Sequence, residues 1–507
     1  MDVAPLLLAV DLGTTACKAA VFTRDGRILT LAYREYPLLR ISRAEIEQDA
    51  EAWWRLVREV GAEALGGLAD GQRQKVKALG LSVQGISFVP VDEGGAPLCN
   101  ALTWLDFRAA DEAGELGRVF GARDIFALTG LLPNPIYTLP KIIWLRRHRP
   151  EIFSRARRFC TAQDFVLARL AGRYVTDHSV AGGTLMHEVR ALRWSEALLG
   201  RVPLAPDRLP EIDWAGTAVG PLDARVAAEI GAPRDLTVVL GAHDQECAGL
   251  GAGLRPGEAT VSLGTASIIL ASAAAPVLDP GLRIPCLPSA ERDRWVLEAP
   301  VSVGGAGLRW LRDNLNLLPA MWRGRDGEPL DYEGVVALAE KAAPGAAGVS
   351  FFPHLAGATS PFWAPDASGV FHGISLASSA FDLLRAALEG WIFQIRTNLD
   401  VVEELAGRVE RVIAFAGAAR NRFITQLLAD VLGKPVAISE TPETALLGAA
   451  ILAGVGAGVY RDVPSAQAEA VRTAGIVYPR AAMHGAYEEI YRRYRRIEAQ
   501  VLAMNPD

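Results

Sequence analysis

The sequence predicts an α/β protein of two domains. Its 507 residues exceed the length of one ordinary domain, and half of them are hydrophobic, which is ample material for two cores. The 49 glycines and the low aromatic content suit strands joined by tight turns. The tripeptide Leu12-Gly13-Thr14 returns as Leu263-Gly264-Thr265 about half the chain later. We therefore predict a duplicated unit, with domains at residues 1–253 and 254–507 and a cleft between them.

Hydrophobic runs broken by turn residues outline the first half. Leu6–Val10 is an apolar run, and the polar turn Asp11–Thr15 follows it. Asp49 is placed to cap a helix, and Thr161 with Asp164 resembles a capping pair for a helix that ends at a glycine. The other predicted strands of this half are Ala19–Thr23, Ile28–Tyr33, Val76–Ser82, Ser87–Val91 and Leu236–Leu240.

The second half restarts with the same pattern. Ala259–Leu263 and Ala266–Leu270 are predicted strands, and Gly264-Thr265 is the turn between them. Val412–Ala416 is a later strand, followed by a glycine/alanine turn and a helix over Asn421–Leu432 with apolar residues at helical spacing. The last predicted helix is Tyr487–Met504.

Composition excludes several classes of protein. The net charge of −6 and the sequence pI of about 5.8 argue against a dedicated nucleic-acid binder. Five cysteines without a C-x-x-C spacing, and seven histidines without an H-x-x-x-H pair, argue against a disulfide framework and a zinc site. The uncharged stretch Thr444–Tyr460 is shorter than a typical spanning helix of about 20 residues, so we predict a buried helix. A cytoplasmic protein with no membrane partner is expected.

The turn after the first strand has the composition of a phosphate site. Such a site needs backbone N–H groups, hydroxyls and a cation in one concavity. Gly13 allows a close approach, Thr14 and Thr15 offer hydroxyls, and Lys18 offers charge. Asp11 is placed to hold Mg²⁺ through water. An ordinary hairpin turn is the alternative, and the combination of residue types favours the phosphate site.

A candidate general base follows the strand Leu236–Leu240. Transfer of a phosphoryl group to a hydroxyl needs a carboxylate that accepts the hydroxyl proton. Asp244 is the candidate, whereas His243 is predicted to be structural. An aspartate before a helix is more often a cap, and only its position between two phosphate-type turns favours the base.

A third segment combines hydrogen-bonding groups with an aromatic wall, as sugar sites do. It contains Trp104 and Asp106, and Gln84 lies upstream. The signal is weak by itself.

Together, these segments resemble the FGGY family of carbohydrate kinases over essentially the full chain. The family's first phosphate motif is similar to Asp11–Lys18, and its second is similar to Gly264-Thr265. The other matching segments, in order, are Tyr137–Leu145 and Gly369–Ile374 with Asp382–Glu389 for the two family signatures, and Val303–Trp310, Phe415–Asn421 and Glu443–Ala450 for nucleotide segments. With Glu443–Ala450 counted as the helix behind the Phe415–Asn421 stretch, six matches in the right order make the identification strong.

The resemblance implies two actin-like (ribonuclease H-like) ATPase domains with an interdomain catalytic cleft. The first domain would mainly bind the sugar and the second mainly ATP, with Mg²⁺ as cofactor. Asp244 stands at the position of the family's catalytic base, and Asp11 at the magnesium-associated position. The expected ATP contacts are Gly13, Thr14, Thr15, Lys18, Gly264, Thr265, Gly305, Arg309, Gly417, Ala418 and Asn421. The expected substrate contacts are Gln84, Trp104, Asp106 and Gln245. The family also includes homodimers.

The sequence departs from the family at the substrate segment. Xylulose kinases usually have Met-His after the glutamine at the Gln84 position, and glycerol kinases have Arg-Glu, whereas this chain has Gly85-Ile86. These small, uncharged residues predict a roomier pocket. The resemblance implies a small sugar as the acceptor, with D-xylulose one candidate and another polyol or a sugar acid the alternative.

Two other functions remain open on the same fold. An actin- or chaperone-type ATPase would need no base on the sugar side, and the presence of Asp244 counts against it. A non-catalytic sugar sensor would be expected to lose Asp11 or Asp244, and both are present.

Overall fold

Two large mixed β-sheets with similar strand arrangements form the centre of the protein. The computed structural model describes residues 4–314 and 330–504. In spatial order, the first sheet consists of Ala218–Pro221, Thr237–His243, Val76–Val83, Leu6–Leu12, Ala16–Thr23 and Ile28–Glu35. The second sheet consists of Thr473–Val477, Val436–Ser439, Arg411–Phe415, Glu258–Ser262, Ser267–Ala273, Trp295–Val301 and Cys286–Pro288.

The two sheets confirm the duplication predicted from the repeated tripeptide. Each begins with an antiparallel edge strand, continues with parallel strands, and ends in an antiparallel meander. In both sheets the repeated Gly-Thr turn follows the first strand of the meander. The predicted strands are present, each one to three residues longer or shifted at its ends. Because the two sheets are arranged alike, the two Gly-Thr turns lie at corresponding ends of their strands.

Four smaller sheets accompany the large ones in the described residues, three in the first half of the chain and one in the second. One has five strands, Leu39–Arg40, Ile46–Gln48, Ala101–Leu102, Phe88–Val91 and Arg158–Thr161. The two-stranded pairs are Val175–Asp177 with Glu211–Asp213, His187–Glu188 with Arg193–Trp194, and Ser350–Phe352 with Val370–His372.

Helices pack on both faces of the sheets. The α-helices are Ala50–Gly66, Ala110–Leu116, Ala122–Thr129, Thr138–His148, Pro150–Arg155, Ala162–Ala171, His178–Gly182, Glu196–Arg201, Ala224–Ile230, Asp244–Ala252, Gly305–Asn314, Tyr332–Ala339, Ala380–Ala406, Arg422–Leu432, Thr444–Gly456, Val463–Ala470 and Ala481–Ala503. The predicted caps are confirmed, because Asp49 accepts from the Glu51 N–H and Thr161 with Asp164 forms a capping box. The last helix begins six residues earlier than predicted, at Ala481 rather than Tyr487.

The Asp382–Glu389 part of the second family signature lies on the longest described helix and packs in the core. Ala380–Ala406 buries Glu389, whose Oε1 accepts from Arg385 at 2.8 Å, from the Tyr487 hydroxyl at 3.0 Å and from the Gly345 N–H at 3.0 Å. A buried carboxylate with these partners is satisfied where it lies. It therefore fastens the last helix of the chain to the second domain.

Two short helices cross between the sheets. We call them the Asp244 helix (Asp244–Ala252) and the Thr444 helix (Thr444–Gly456). The Asp244 helix lies against strands of the second sheet, and the Thr444 helix lies against the first sheet. Each helix therefore packs on the sheet formed by the other half of the chain, and the division at residue 253 stays a prediction.

Glycine permits this crossing. A Cβ at Gly251 would lie 1.9 Å from the Thr444 carbonyl oxygen, and a Cβ at Gly448 would lie 1.9 Å from that of Cys247. On the sheet side, a Cβ at Gly80 would lie 2.4 Å from the Ala449 carbonyl oxygen. The backbones of two helices and a strand are thus in contact, which any larger side chain would prevent.

The Thr444 helix is covered on all sides, as the sequence predicted. Ten of its residues are buried, and they lie on every face. A helix that is apolar all round belongs in the interior of a large protein or in a membrane. Among the described residues, no helix is both long and apolar enough to cross a membrane.

Gly448→Ala tests the crossing. The added methyl group would overlap the Cys247 carbonyl, so we expect the free energy of unfolding to fall by about 3 kcal/mol or more, beyond ordinary overpacking. Gly485→Ala is the control, because Gly485 is exposed in the helix Ala481–Ala503 with open space at its Cβ. That change should stabilise the protein by about 0.5–1 kcal/mol. Urea denaturation of both variants measures the difference, and equal stabilities would contradict the close crossing.

Candidate active site

The first phosphate-type turn meets the predicted sugar segment. The Gly13 N–H donates to the Ala16 carbonyl at 3.0 Å and closes the turn. The Trp104 indole N–H donates to the Thr14 hydroxyl at 2.8 Å. Thr15 is exposed at the tip of the turn, and Trp104 remains 37% exposed. The structure therefore brings a predicted ATP contact and a predicted substrate contact together.

Asp11 lies near the carboxyl end of the central strand Leu6–Leu12, close to other carboxylates. Its neighbour in the adjacent parallel strand is Ser82, whose hydroxyl donates to Asp11 Oδ1 at 2.7 Å. Burial raises the pKa of Asp11 to about 7, and the nearby charges of Asp244 and Glu443 add to the rise. A cation at this position would relieve the repulsion between the carboxylates.

The donor set at Asp11 suits Mg²⁺. This ion prefers hard oxygen ligands and keeps several waters, so one or two carboxylates are enough to hold it. Ser82 occupies only one oxygen of Asp11. Asp11 is half-buried, which leaves room for hydrated coordination.

Lys18, which is predicted to contact phosphate, pairs with a carboxylate in the structure. Its Nζ lies 2.7 Å from Glu443 Oε2, and it lies over the Tyr33 ring. Glu443 directly precedes the Thr444 helix, so this ion pair joins the first sheet to a segment of the second half of the chain. The positive charge of Lys18 is therefore already matched by a carboxylate.

Asp244 is the first residue of the Asp244 helix. Its Oδ1 accepts from the Gln245 amide at 3.3 Å and lies 3.1 Å from His243 Nε2. Burial raises the pKa of the Asp244 carboxyl, and the positive charge of His243 opposes that rise. The helix N-terminus also favours a negative charge there. The Asp244 carboxylate is therefore held in place by its neighbours, and the positive charge of His243 balances only part of the surrounding negative charge.

A histidine and two glutamates lie directly behind Asp244. His243 Nδ1 is 2.6 Å from Glu246 Oε2, and the carboxylate of Glu298 comes from the second sheet. Ligand atoms of His243, Glu246 and Glu298 lie within 4.8 Å of one another, a spacing that a metal ion could also use. The neighbouring carboxylates outweigh burial and raise the pKa of His243 to about 10, which favours the imidazolium form.

The substrate segment after Gln84 is tightly folded, and the prediction of a roomier pocket is wrong. Gln84 is buried, and it bonds Gln48 and Ser87. A Cβ at Gly85 would lie 2.4 Å from Cδ2 of the His243 ring. The space left by the small residue is therefore filled by an imidazole from another part of the chain.

The backbone at Ile86 is strained. Its φ is 62°, and the Ser87 N–H donates to the Gly85 carbonyl at 2.7 Å. These residues form a γ-turn with positive φ at its central residue, which is the rare and strained form of this turn. A β-branched residue in this region costs about 1–3 kcal/mol and persists only where the surroundings enforce it. The Ile86 carbonyl accepts from the Thr138 hydroxyl at 2.9 Å, which helps to hold the turn.

Asp106 supports the Trp104 segment from behind, which differs from the predicted substrate contact. Its side chain is fully buried, and both oxygens are used by Arg108 and by the Ile46 N–H. The buried Lys141, in the first family signature, donates to the carbonyls of Thr103 and Ile136. Burial lowers the pKa of Lys141 to about 7. These contacts fix the segment that carries Trp104.

The predicted nucleotide residues meet around the second Gly-Thr turn. The Gly305 N–H donates to the Gly264 carbonyl at 2.9 Å, and the Gly304 N–H donates to the Thr265 carbonyl at 2.9 Å. From a third segment, the Ala418 N–H donates to the Leu263 carbonyl at 3.1 Å. Three backbone segments rich in glycine and alanine therefore form one surface.

The remaining predicted ATP residues border this surface. Gly417 begins the turn that leads into Ala418. Asn421 accepts from the N–H groups of Phe423 and Ile424, so it caps the next helix and keeps only its amide NH₂ free for a ligand. Arg309 is exposed on the helix Gly305–Asn314.

Sequence reasoning missed several residues of the site. Ser82 ends a predicted strand, and the parallel pairing of that strand with Leu6–Leu12 could have pointed to it. Tyr36, whose hydroxyl donates to the Gly13 carbonyl, and Glu298 carry no such signal. Both reach the site through tertiary contacts.

Ala416→Gly tests the strain in the nucleotide turn. Ala416 has φ 71° and ψ −176°, a region that is essentially reserved for glycine. We expect the change to stabilise the protein by about 1 kcal/mol, because strain relief exceeds the entropy that glycine adds to the unfolded chain. Ala419→Gly, at a buried neighbour without positive φ, should destabilise instead. Thermal unfolding checks both, and a lower melting temperature for Ala416→Gly would contradict the strain.

Comparisons with known proteins agree with this architecture. The N-terminal domain model of the FGGY family of carbohydrate kinases matches residues 6–251, and the C-terminal domain model matches residues 259–457. A gluconokinase of Bacillus subtilis (strain 168) is 29% identical, over 88% of this chain and 86% of its own length. A glycerol kinase of Trichlorobacter lovleyi is 32% identical, over 90% and 91%.

Solved structures give the same result. The crystal structure of a xylulose kinase from Rhodospirillum rubrum has a TM-score of 0.90 and 25% identity, and it covers 99% of this chain and all of that one. The predicted two-domain, actin-like fold is thereby confirmed. The chain belongs to the FGGY family of carbohydrate kinases.

Proposed function

We propose that this carbohydrate kinase transfers the γ-phosphoryl group of ATP to a terminal hydroxyl of a small sugar, polyol or sugar acid, with Asp244 as general base. The observation that carries the proposal is the position of Asp244. It begins a helix at the carboxyl end of a central strand, close enough to Asp11 for the two charges to interact, and the turn carrying Thr14 contacts Trp104. A base, a magnesium-associated carboxylate and an aromatic wall thus border one cleft.

The chain's own residues would divide the work as follows. Asp244 accepts the proton of the attacking hydroxyl, and Trp104 orients the acceptor against the turn that contains Thr14. Gln245, half-buried beside the base, is a further candidate substrate contact. Mg²⁺, held through Asp11, would supply charge neutralisation for the phosphates when bound.

The second domain would bind the nucleotide. The surface formed by Gly264-Thr265, Gly305 and Gly417-Ala418 offers backbone close to a ligand, with Asn421 and Arg309 at its border. Closure of the first domain on the second would bring the acceptor to the γ-phosphoryl group and exclude water.

The acceptor class rests on the relatives and on the substrate segment. Relatives named gluconokinase, xylulose kinase and glycerol kinase all match most of the chain. D-xylulose is one candidate acceptor, and a polyol or sugar acid is the alternative. His243, which directly precedes the base, fills the space beside Gly85 in the substrate segment.

Asp244→Asn tests the base. The amide keeps the size of the side chain but cannot accept the proton, so we expect transfer to fall at least about 100-fold while MgATP binding is retained. Asp235→Asn is the control, because its side chain is 73% exposed in a surface ion pair with Lys77. Calorimetry of ATP binding and a coupled ADP assay provide the two readouts. Near-normal turnover in Asp244→Asn would remove Asp244 from this role.

A substrate panel tests the activity itself. We expect MgATP turnover to depend on one class among D-xylulose and other ketoses, glycerol and other polyols, and gluconate and other sugar acids. ADP release by the purified protein is the measurement. Steady hydrolysis that no compound changes would favour an ATPase, and binding of a sugar without ADP release would favour a sensor.

A further inference from the structure

His243 is held between three carboxylates at the base. Nδ1 is hydrogen-bonded to Glu246 at 2.6 Å, and Nε2 lies 3.1 Å from Asp244 Oδ1. The side chain of Glu246 is fully buried, and its other oxygen has no hydrogen-bond partner. The third carboxylate, Glu298, stands on the second sheet. A buried glutamate with one free oxygen is a strong anchor for an imidazolium, because that cation is its main compensation.

The other side of the ring is fixed by the substrate segment. Only glycine leaves room for the ring at position 85, since a Cβ there would lie 2.4 Å from Cδ2 and 2.5 Å from Nε2. The His243 backbone N–H donates to the Ser179 hydroxyl at 3.0 Å. The imidazole therefore cannot move away from Asp244 without displacing either Glu246 or the strained turn at Ile86.

We propose that His243 is the positioning residue of the base: it links Asp244 to Glu246, engages Oδ1 of Asp244, and leaves Oδ2 for the acceptor hydroxyl. Gln245 contacts the same Oδ1 atom, so both neighbours occupy one oxygen. This inference rests on Asp244 being the base. It assigns a role to the Gly85–His243 pair, which fills the place where the family usually carries larger side chains after the glutamine.

The pair has a consequence for pH dependence. The charged groups that face His243 are Asp244, Glu246 and Glu298. Their negative charges raise the pKa of His243 and so favour the cationic ring, and that cation opposes the rise in the pKa of Asp244 that burial causes. A base must be ionised, so activity appears as pH rises through its pKa. Without the cation, that pKa rises and the acid limb of activity moves to higher pH.

The test is the pH profile of kcat/KM for His243→Gln and His243→Ala. We expect the acid limb of kcat/KM to move up by about one pH unit or more in both variants. At a pH below the limb, this shift lowers kcat/KM about tenfold. At high pH, kcat/KM of His243→Gln should approach that of the native protein. A variant that was only destabilised would lose activity at all pH values. His148→Gln, with a side chain 54% exposed, is the matched control and should keep the native profile.

Gly85→Ala gives an independent test. Its methyl group would push the ring off Asp244, so the acid limb should move as in His243→Ala. The double variant Gly85→Ala/His243→Ala should be no worse than His243→Ala, because the ring that the methyl group displaces is absent. Additive losses in the double variant, or an acid limb that stays in place in every variant, would overturn the proposal.

Two further outcomes separate the possibilities. Asp244→Asn is measured alongside the His243 variants. If Asp244→Asn is active, the proposed base is wrong. If Asp244→Asn is inactive and the His243 variants keep the native acid limb, only the positioning role of His243 is wrong.

Elemental analysis of the purified protein should find no stoichiometric zinc. A bound zinc whose removal abolishes activity would make His243 a neutral ligand and would also overturn the proposal.

Discussion

The close crossing of the Asp244 and Thr444 helices is the constraint on which the rest of the structure depends. Backbone touches backbone at Gly251 and Gly448, and the Thr444 helix in turn lies on the backbone of the first sheet. Gly251 lies against Thr444 and Gly448 lies against Cys247, so the two helices run antiparallel, and their contact fixes the separation between Asp244 and the Glu443–Lys18 pair. Glycine is needed because backbone contact at this range leaves no room for a Cβ.

Rigidity around the base comes from strain and from matched charge together. Ile86 is held in an unfavourable turn, and His243 is held by Glu246 on one side and by the space at Gly85 on the other. Neither device stabilises the protein much by itself, because a strained turn costs free energy and a buried ion pair recovers little after desolvation. What they contribute is a defined place for one carboxylate oxygen, which catalysis by positioning requires.

Local signals in the sequence predicted most of the fold, and long-range contacts explain what it did not predict. Strands, the Asp49 cap and the Thr161 capping box depend on neighbouring residues, so they could be read directly. The carboxylate that pairs with Lys18 belongs to Glu443, and the side chain that fills the space at Gly85 belongs to His243. Each partner lies far along the chain, and a pattern within one segment says nothing about it. Asp106 has one partner of each kind, since Arg108 is a near neighbour in the sequence whereas Ile46 lies 60 residues away.

The exchange of helices between the two halves also has a consequence for synthesis of the chain. Leu7, Ala9 and Val239 of the first sheet are buried together with Leu446 and Leu452 of the Thr444 helix. A ribosome completes that sheet long before it makes the helix that covers it. One apolar face of the nascent protein therefore stays bare until the Thr444 helix is made, and the first half becomes a finished domain only when the second half is nearly complete.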